Sequence, residues 1–259
     1  DITPRQHAAV HDLGLPGIGF REELKRVYPN GRAAAHVLGF VDVDNRGLGG
    51  IEQAIDTSLP DETSRGEPVV LSIDARVQHV VADELAKTVE TFTALGAAGL
   101  VMDVHTGEVI AMVSLPDFDP NHVADDPAEN RFNRTTLGVY EMGSTFKAFN
   151  TAMALDAGIR STDMFDARAP IRIGRYSIRD YHAKGRALSV EQIFEHSSNI
   201  GSAKMAMKLG IDHQRTFLAS LGQLDPLQME LPERGAPIWP KTNWGDVELM
   251  TISFGHGIA

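Results

Sequence analysis

Apolar residues change their spacing along the chain near residue 69. Before it, short apolar runs alternate with turn signals at Gly14-Leu15-Pro16-Gly17, Tyr28-Pro29-Asn30-Gly31 and Arg46-Gly47-Leu48-Gly49-Gly50, and no long helical period is sustained. Beyond it, Val69 to Ile73 reads as a strand. Asp74 then stands where a carboxylate caps a helix, and Val77, Val81, Leu85, Val89 and Phe92 recur on one stripe of that helix. The change places a domain boundary near residue 66, between a loop-rich segment 1–66 and a domain 67–259.

Two apolar segments, Ala98 to Val104 and Glu108 to Ser114, flank His105-Thr106-Gly107 and predict a β-hairpin with central strands. Pro116 to Tyr140 is dense in Asp, Asn and Pro and reads as an irregular surface excursion. A helix is expected from about Ser144 to Ala157, with Gly158 as its C′ residue. Ser189-Val190-Glu191-Gln192 has the capping-box pattern and opens a short helix that ends before Ser197-Ser198-Asn199. Ile200 to Leu209 forms the next helix, stopped by Gly210, so the polar triplet falls on an inter-helix turn.

Composition removes several classes of function. The 259 residues carry 24 Lys+Arg against 35 Asp+Glu, a net charge of −11, which opposes nucleic acid as a partner. Without cysteine there is no disulfide, thiolate nucleophile or Cys-ligated zinc. The longest apolar stretch, Ala94 to Met102, falls well short of the roughly 18 residues a membrane span needs. Asp1-Ile2-Thr3-Pro4 reads as the interior of a longer chain, and the apolar, glycine-rich stretch ending at Ala259 reads as truncated too.

Ser144-Thr145-Phe146-Lys147 has the Ser-x-x-Lys form, and i, i+3 spacing on a helix brings hydroxyl and amine onto one face. A serine hydroxyl becomes a competent nucleophile only when a neighbour takes its proton. Lysine can do so when burial or positive charge lowers its pKa. The backbone N–H groups at the helix start add oxyanion donors. With 13 serines and 7 lysines, chance alone yields roughly 0.35 such pairs, so the motif is weak by itself. Ser197-x-Asn199, 53 residues on, makes an ordered pair with it.

Ser-x-x-Lys followed by Ser-x-Asn is the order found in penicillin-binding proteins and serine β-lactamases, where a Lys-Thr/Ser-Gly strand completes the set. Tyr140-Glu141-Met142-Gly143 before the serine, Pro116-Asp117-Phe118-Asp119-Pro120-Asn121, Asp103-Val104-His105-Thr106-Gly107-Glu108-Val109-Ile110-Ala111-Met112 and Gly47-Leu48-Gly49-Gly50-Ile51-Glu52 resemble class B penicillin-binding proteins. Arg26-Val27-Tyr28-Pro29, Asn133-Arg134 and Ser253-Phe254-Gly255-His256-Gly257 look most like the division-specific, septal peptidoglycan transpeptidases.

The resemblance implies an α+β fold, an antiparallel sheet flanked by helices, with residues 1–66 as a pedestal remnant and 67–259 as a transpeptidase domain incomplete at its C-terminus. It implies that Ser144 is acylated by a stem peptide, that Lys147 takes its proton, that Ser197 relays protons to the leaving group and that Asn199 holds the substrate amide beside the Ser144 N–H. It further implies β-lactams as inhibitors, no cofactor, and division-complex membrane proteins, including a glycosyltransferase, as partners. The location implied is the periplasmic side of the inner membrane, with a single N-terminal anchor outside this chain. One departure is plain: no Lys-Thr/Ser-Gly occurs in the chain. Lys241-Thr242-Asn243 lacks the glycine and follows Pro240, and the third motif is expected beyond Ala259.

On the residues alone, a hydrolase with the same acyl-serine chemistry and a β-lactam sensor or scaffold stay open, although free β-lactamases lack a region like 1–66. Other tempting groups read as structural. The 10 histidines include one i, i+4 pair, His7/His11, without a supporting third ligand, so no metal is expected. Asp117, Asp119, Asp125 and Asp126 read as a solvated loop rather than a calcium site. Trp239 and Trp244 read as packing anchors. Asp180, Tyr181 and His182 divide evenly between cleft lining and surface turn.

Overall fold

The computed structural model describes residues 2–58, 68–174 and 176–259; the boundary expected near residue 66 lies outside them. In the N-terminal part, α1 spans Pro4–His11, α2 Ala35–Leu38 and α3 Gly50–Ser58. Thr3 and Gln6 form a capping box on α1, yet none of its residues is buried. Nearly all of residues 2–27 is exposed, and the first buried side chain is Tyr28.

From Tyr28 onward the segment docks on the rest of the chain. The Asn121 amide clasps the Tyr28 backbone, Oδ1 accepting from its N–H at 2.9 Å and Nδ2 donating to its C=O at 3.0 Å. Arg32 donates through Nη2 to both oxygens of Asp126, at 2.8 and 2.9 Å, and through Nη1 to Asp117 Oδ1 at 3.1 Å. The excursion 116–140 contains 3₁₀ turns at Val123–Asp125 and Ala128–Arg131. Its aspartates are therefore not simply solvated: Asp117 and Asp126 are the anchor points of the N-terminal segment.

Helix α4, Ala75–Phe92, is capped by Asp74, whose carboxylate accepts from the N–H groups of Arg76 and Val77. It packs across an antiparallel hairpin of β1, Ala97–Met102, and β2, Val109–Leu115. Phe92, in the last turn, is 76% exposed and so lies off the expected buried stripe. The hairpin is where the alternation placed it, but it forms a two-stranded sheet in which neither strand is central: β2 is buried and β1 largely exposed. The expected strand at 69–73 does not form. The outer edge of β2 is already occupied: buried Gln78 bonds both the N–H and the C=O of Met112, at 2.8 and 2.7 Å, and Asp74 N–H and Ser72 Oγ take the carbonyls of Ile110 and Val109. The Gln78 and Ser72 side chains and the Asp74 N–H thus satisfy backbone groups that a ladder would have used.

Helix α5 spans Lys147–Asp156 and ends in a Schellman motif at Gly158, with Ile159 N–H on Ala154 C=O and Gly158 N–H on Leu155 C=O. Two short antiparallel pairs follow, β3 (Met164–Asp166) with β6 (Ala187–Ser189) and β4 (Ile171–Ile173) with β5 (Tyr176–Ile178). Then come α6 (Val190–Glu195), α7 (Asn199–Leu209), α8 (Ile211–Ser220) and α9 (Asp246–Ile252).

Ala154, Phe165, Leu188, Ile193, Ile200, Ala203 and Met250 share one buried cluster, while Phe146, Leu218, Trp244, Ile252 and Ile258 share another. Gly201 lets α7 lie close to α6, since a Cβ there would sit 2.4 Å from Ile193. Trp244 is buried, with its indole N–H on Gln214 Oε1 at 3.0 Å, and Trp239 donates to Leu224 C=O; both are packing anchors. Lys241 lies over the Trp239 ring in irregular chain, with no strand around it.

Candidate active site

Ser144 does not sit in α5 itself, as the spacing suggested, but in a 3₁₀ turn, Gly143–Phe146, immediately before it. The cause is local. Gly143 has φ of +56° and gives its N–H to Gly255 C=O at 3.1 Å, and Thr145 Oγ1 donates to Met142 C=O. Phe146 is buried in the Trp244 cluster, which fixes the turn one residue before Lys147. Ser144 consequently stays exposed while Lys147 is 2% exposed. The Ser144 N–H lies at a helix start, where backbone donors have no intrahelical acceptor.

Ser197 occupies the turn between α6 and α7 with φ of +53°, a left-handed conformation that is uncommon outside glycine. Its N–H and that of Ser198 donate back to the carbonyls of Phe194 and Ile193, closing α6. Asn199 opens α7 rather than lying wholly on the turn. Asn150, one turn after Lys147 and buried, donates to Ser202 C=O at 3.2 Å and joins the two motif-bearing helices.

All four predicted residues converge on one atom. Lys147 Nζ lies 3.2 Å from Ser144 Oγ, 2.7 Å from Ser197 C=O, 2.8 Å from Ser197 Oγ and 2.7 Å from Asn199 Oδ1. The two carbonyl oxygens can only accept, so they take two N–H groups of the amine. In the unprotonated amine the lone pair is then left toward the two hydroxyls, which can donate to it. Burial pushes the Lys147 ammonium down to about 8, against an opposing pull from the Asp180 carboxylate. This is a base poised near neutrality beside an exposed serine.

Of the neighbouring triplet only Asp180 belongs here. It accepts from Ser198 Oγ at 2.8 Å and from Ile200 N–H at 2.9 Å, while Tyr181 is 94% exposed and His182 lies beside it on the surface. A second tie escaped sequence reasoning: Glu141 Oε1 accepts from Gly257 N–H at 2.7 Å, so 253–257 straps the serine turn from outside. The only cue in the sequence was the Gly255-His256-Gly257 run, whose two glycines take positive φ in the structure. Among the described residues no cluster of His, Asp and Glu could hold a metal ion, and no helix is long and apolar enough to cross a membrane.

The family model for the penicillin-binding protein transpeptidase domain matches residues 97–259. The chain is 44% identical over 259 residues to the probable peptidoglycan D,D-transpeptidase FtsI of Caulobacter vibrioides, covering 99% of this chain and 44% of that protein. It is 32% identical to the peptidoglycan D,D-transpeptidase FtsI of Escherichia coli K12, covering 99% and 47%. It thus spans about half the length of the curated relatives it matches. A crystal structure of a putative peptidoglycan glycosyltransferase from Atopobium parvulum superposes with TM-score 0.79 at 26% identity, over 90% of this chain and 58% of that one. The transpeptidase domain of Burkholderia pseudomallei penicillin-binding protein 3 gives 0.63 at 28%, over 74% and 55%. By motif order, fold and kinship, the chain belongs to the penicillin-binding protein transpeptidase family.

Proposed function

We propose that the protein is a peptidoglycan D,D-transpeptidase that cross-links stem peptides through an acyl-serine intermediate during septal wall synthesis, and that β-lactams acylate the same serine. The observation that carries this reading is the single buried amine of Lys147 within hydrogen-bond reach of Ser144 Oγ, Ser197 Oγ and Asn199 Oδ1. The names of the relatives support the substrate class.

Ser144 Oγ attacks the carbonyl carbon of the penultimate D-alanine as its proton passes to Lys147 Nζ. The carbonyl oxygen becomes an oxyanion facing the Ser144 N–H. When that adduct collapses, the C–N bond breaks and the departing D-alanine amine receives the proton from Lys147 through the Ser197 hydroxyl, leaving an ester on Ser144. The amine of a second stem peptide then attacks the ester carbonyl, loses a proton back along the same path, and releases the Ser144 hydroxyl with a new peptide bond made. Asn199, fixed between Lys147 and Arg179 C=O, orients the donor amide. The reading places this domain on the periplasmic side of the inner membrane, held by an anchor and working with division-complex membrane proteins, including a glycosyltransferase.

Labelling with a fluorescent penicillin tests the proposal. The wild-type protein is expected to label covalently, and Ser144→Ala to lose the label with an unchanged circular-dichroism spectrum. Equal labelling of the variant would show that another nucleophile is at work.

A further inference from the structure

Ser197 has to be held from outside. A non-glycine residue in the left-handed region costs roughly 1–2 kcal/mol, so its conformation persists only where the surroundings over-determine it. On one side α6 supplies the carbonyls of Phe194 and Ile193. On the other, the loop after β5 supplies Asp180, whose two oxygens bond different parts of the next turn: Oδ2 accepts from the buried Ser198 hydroxyl at 2.8 Å and Oδ1 from Ile200 N–H at 2.9 Å. Ser198 Oγ in turn caps α7 by accepting from Gly201 N–H at 2.9 Å, and the preceding Arg179 C=O receives Asn199 Nδ2 at 3.0 Å. Residues 179–180 therefore grip Ser198, Asn199 and Ile200 together, the residues that aim Ser197 and Asn199 at Lys147.

Asp180 is also the charged group acting on Lys147. Several other charged side chains on the elements around that amine have partners of their own. Lys204 donates to Asp166 C=O, Lys208 lies over the Phe165 ring, Glu195 sits beside His196, Arg215 lies over Trp244, and Glu248 accepts from Gly245 N–H.

We infer that Asp180 is a positioning residue for the acylation chemistry: through Ser198 and Ile200 it holds the Ser197–Asn199 turn in the register that presents its acceptors to Lys147. The inference rests on the acyl-serine reading above. Asp180 touches no reacting atom; it acts through Ser198, Ile200 and the field at Lys147.

The test is the pH dependence of acylation by a fluorescent penicillin, resolved into a saturating rate and an apparent binding constant, for the wild-type protein, Asp180→Asn and Asp180→Ala. Asparagine keeps the shape and one acceptor but removes the charge, so the ammonium of Lys147 loses support. The midpoint of the acid limb is expected to move toward lower pH by roughly half a unit. Alanine removes the grip as well, and the saturating rate is expected to fall at least about 10-fold. An unmoved midpoint in Asp180→Asn, or a saturating rate within twofold of wild type in Asp180→Ala, overturns the inference; a purely structural role lowers the rate without moving the midpoint. If Asp180→Ala does not fold, the near-isosteric Asp180→Asn decides alone. Absence of wild-type labelling is a different result, which removes the acyl-serine reading and this inference with it.

Discussion

Gly255 and Gly143 are in backbone contact: Gly143 N–H donates to Gly255 C=O at 3.1 Å, and a Cβ built on Gly255 would lie 2.0 Å from the Gly143 carbonyl oxygen. The residue just before Ser144 is thus pressed against the turn that follows α9. Gly255 also has φ of +80°, so two independent constraints exclude a side chain there. Gly255→Ala is expected to lower the thermal midpoint by several degrees and to slow penicillin acylation about 100-fold, the usual result of moving a reacting group by about 1 Å. Gly143→Ala has open space around its Cβ and bears mainly the left-handed penalty of about 1 kcal/mol, so it should be milder in both measurements.

Lys147→Ala is expected to slow acylation by about 10²–10⁴-fold, the ordinary worth of a general base. Lys147→Arg should not restore the rate, because a guanidinium keeps its proton at any usable pH. Stopped-flow acylation of the two variants measures both effects.

The pH profile of the wild-type protein follows from the same amine. Only the neutral form can take the Ser144 proton, and burial places the transition at about 8. The acylation rate should therefore rise about tenfold per unit as pH climbs toward 8 and level off above it. A rate that falls over pH 6–8 would assign the base to another group.

The acyl-enzyme formed with penicillin is expected to last many minutes. Fast hydrolysis needs a free carboxylate beside the ester, and the segment from Ile159 to Tyr176 contains no glutamate. Its aspartates are committed: Asp163 is held by Arg160 and Asp166 by Arg168, which keeps both carboxyls below their usual range and makes them poor bases. Mass spectrometry of the adduct over time checks this, and its loss within seconds would favour a β-lactamase.

Asn121→Ala tests how the N-terminal segment is attached. It removes both bonds to the Tyr28 backbone, a loss of about 1–3 kcal/mol where a buried N–H is left without its acceptor. Proteolysis within residues 28–58 should accelerate while Ser144 labelling stays within twofold of wild type.

Much of the site was legible before any coordinates, because its chemistry is written at fixed local spacings. Ser144 and Lys147 are one helical turn apart, and the Ser189 capping box and Gly210 bracket the two helices around Ser197 and Asn199, so local rules placed both motifs and made their turn visible. The helix cap at Asp74, the Gly158 terminus and the 97–115 hairpin were legible for the same reason. Their determinants lie within a few residues of one another.

What tertiary structure alone decided involves partners far apart in sequence. No local signal says that Gln78 occupies the β2 edge at Met112, which denies residues 69–73 a ladder, or that Asp117 and Asp126 receive Arg32. Nor does any say that Gly255 meets Gly143 and so turns the first residues of the expected α5 into a 3₁₀ turn, or that Asp180 meets Ser198. Hydrogen-bond groups are satisfied by whichever partner packing brings near, and that choice is made by the burial of the whole chain rather than by its local pattern. The sequence by itself determined which residues form the two motifs; the fold decided that they meet at one buried amine, and which distant residues hold them there.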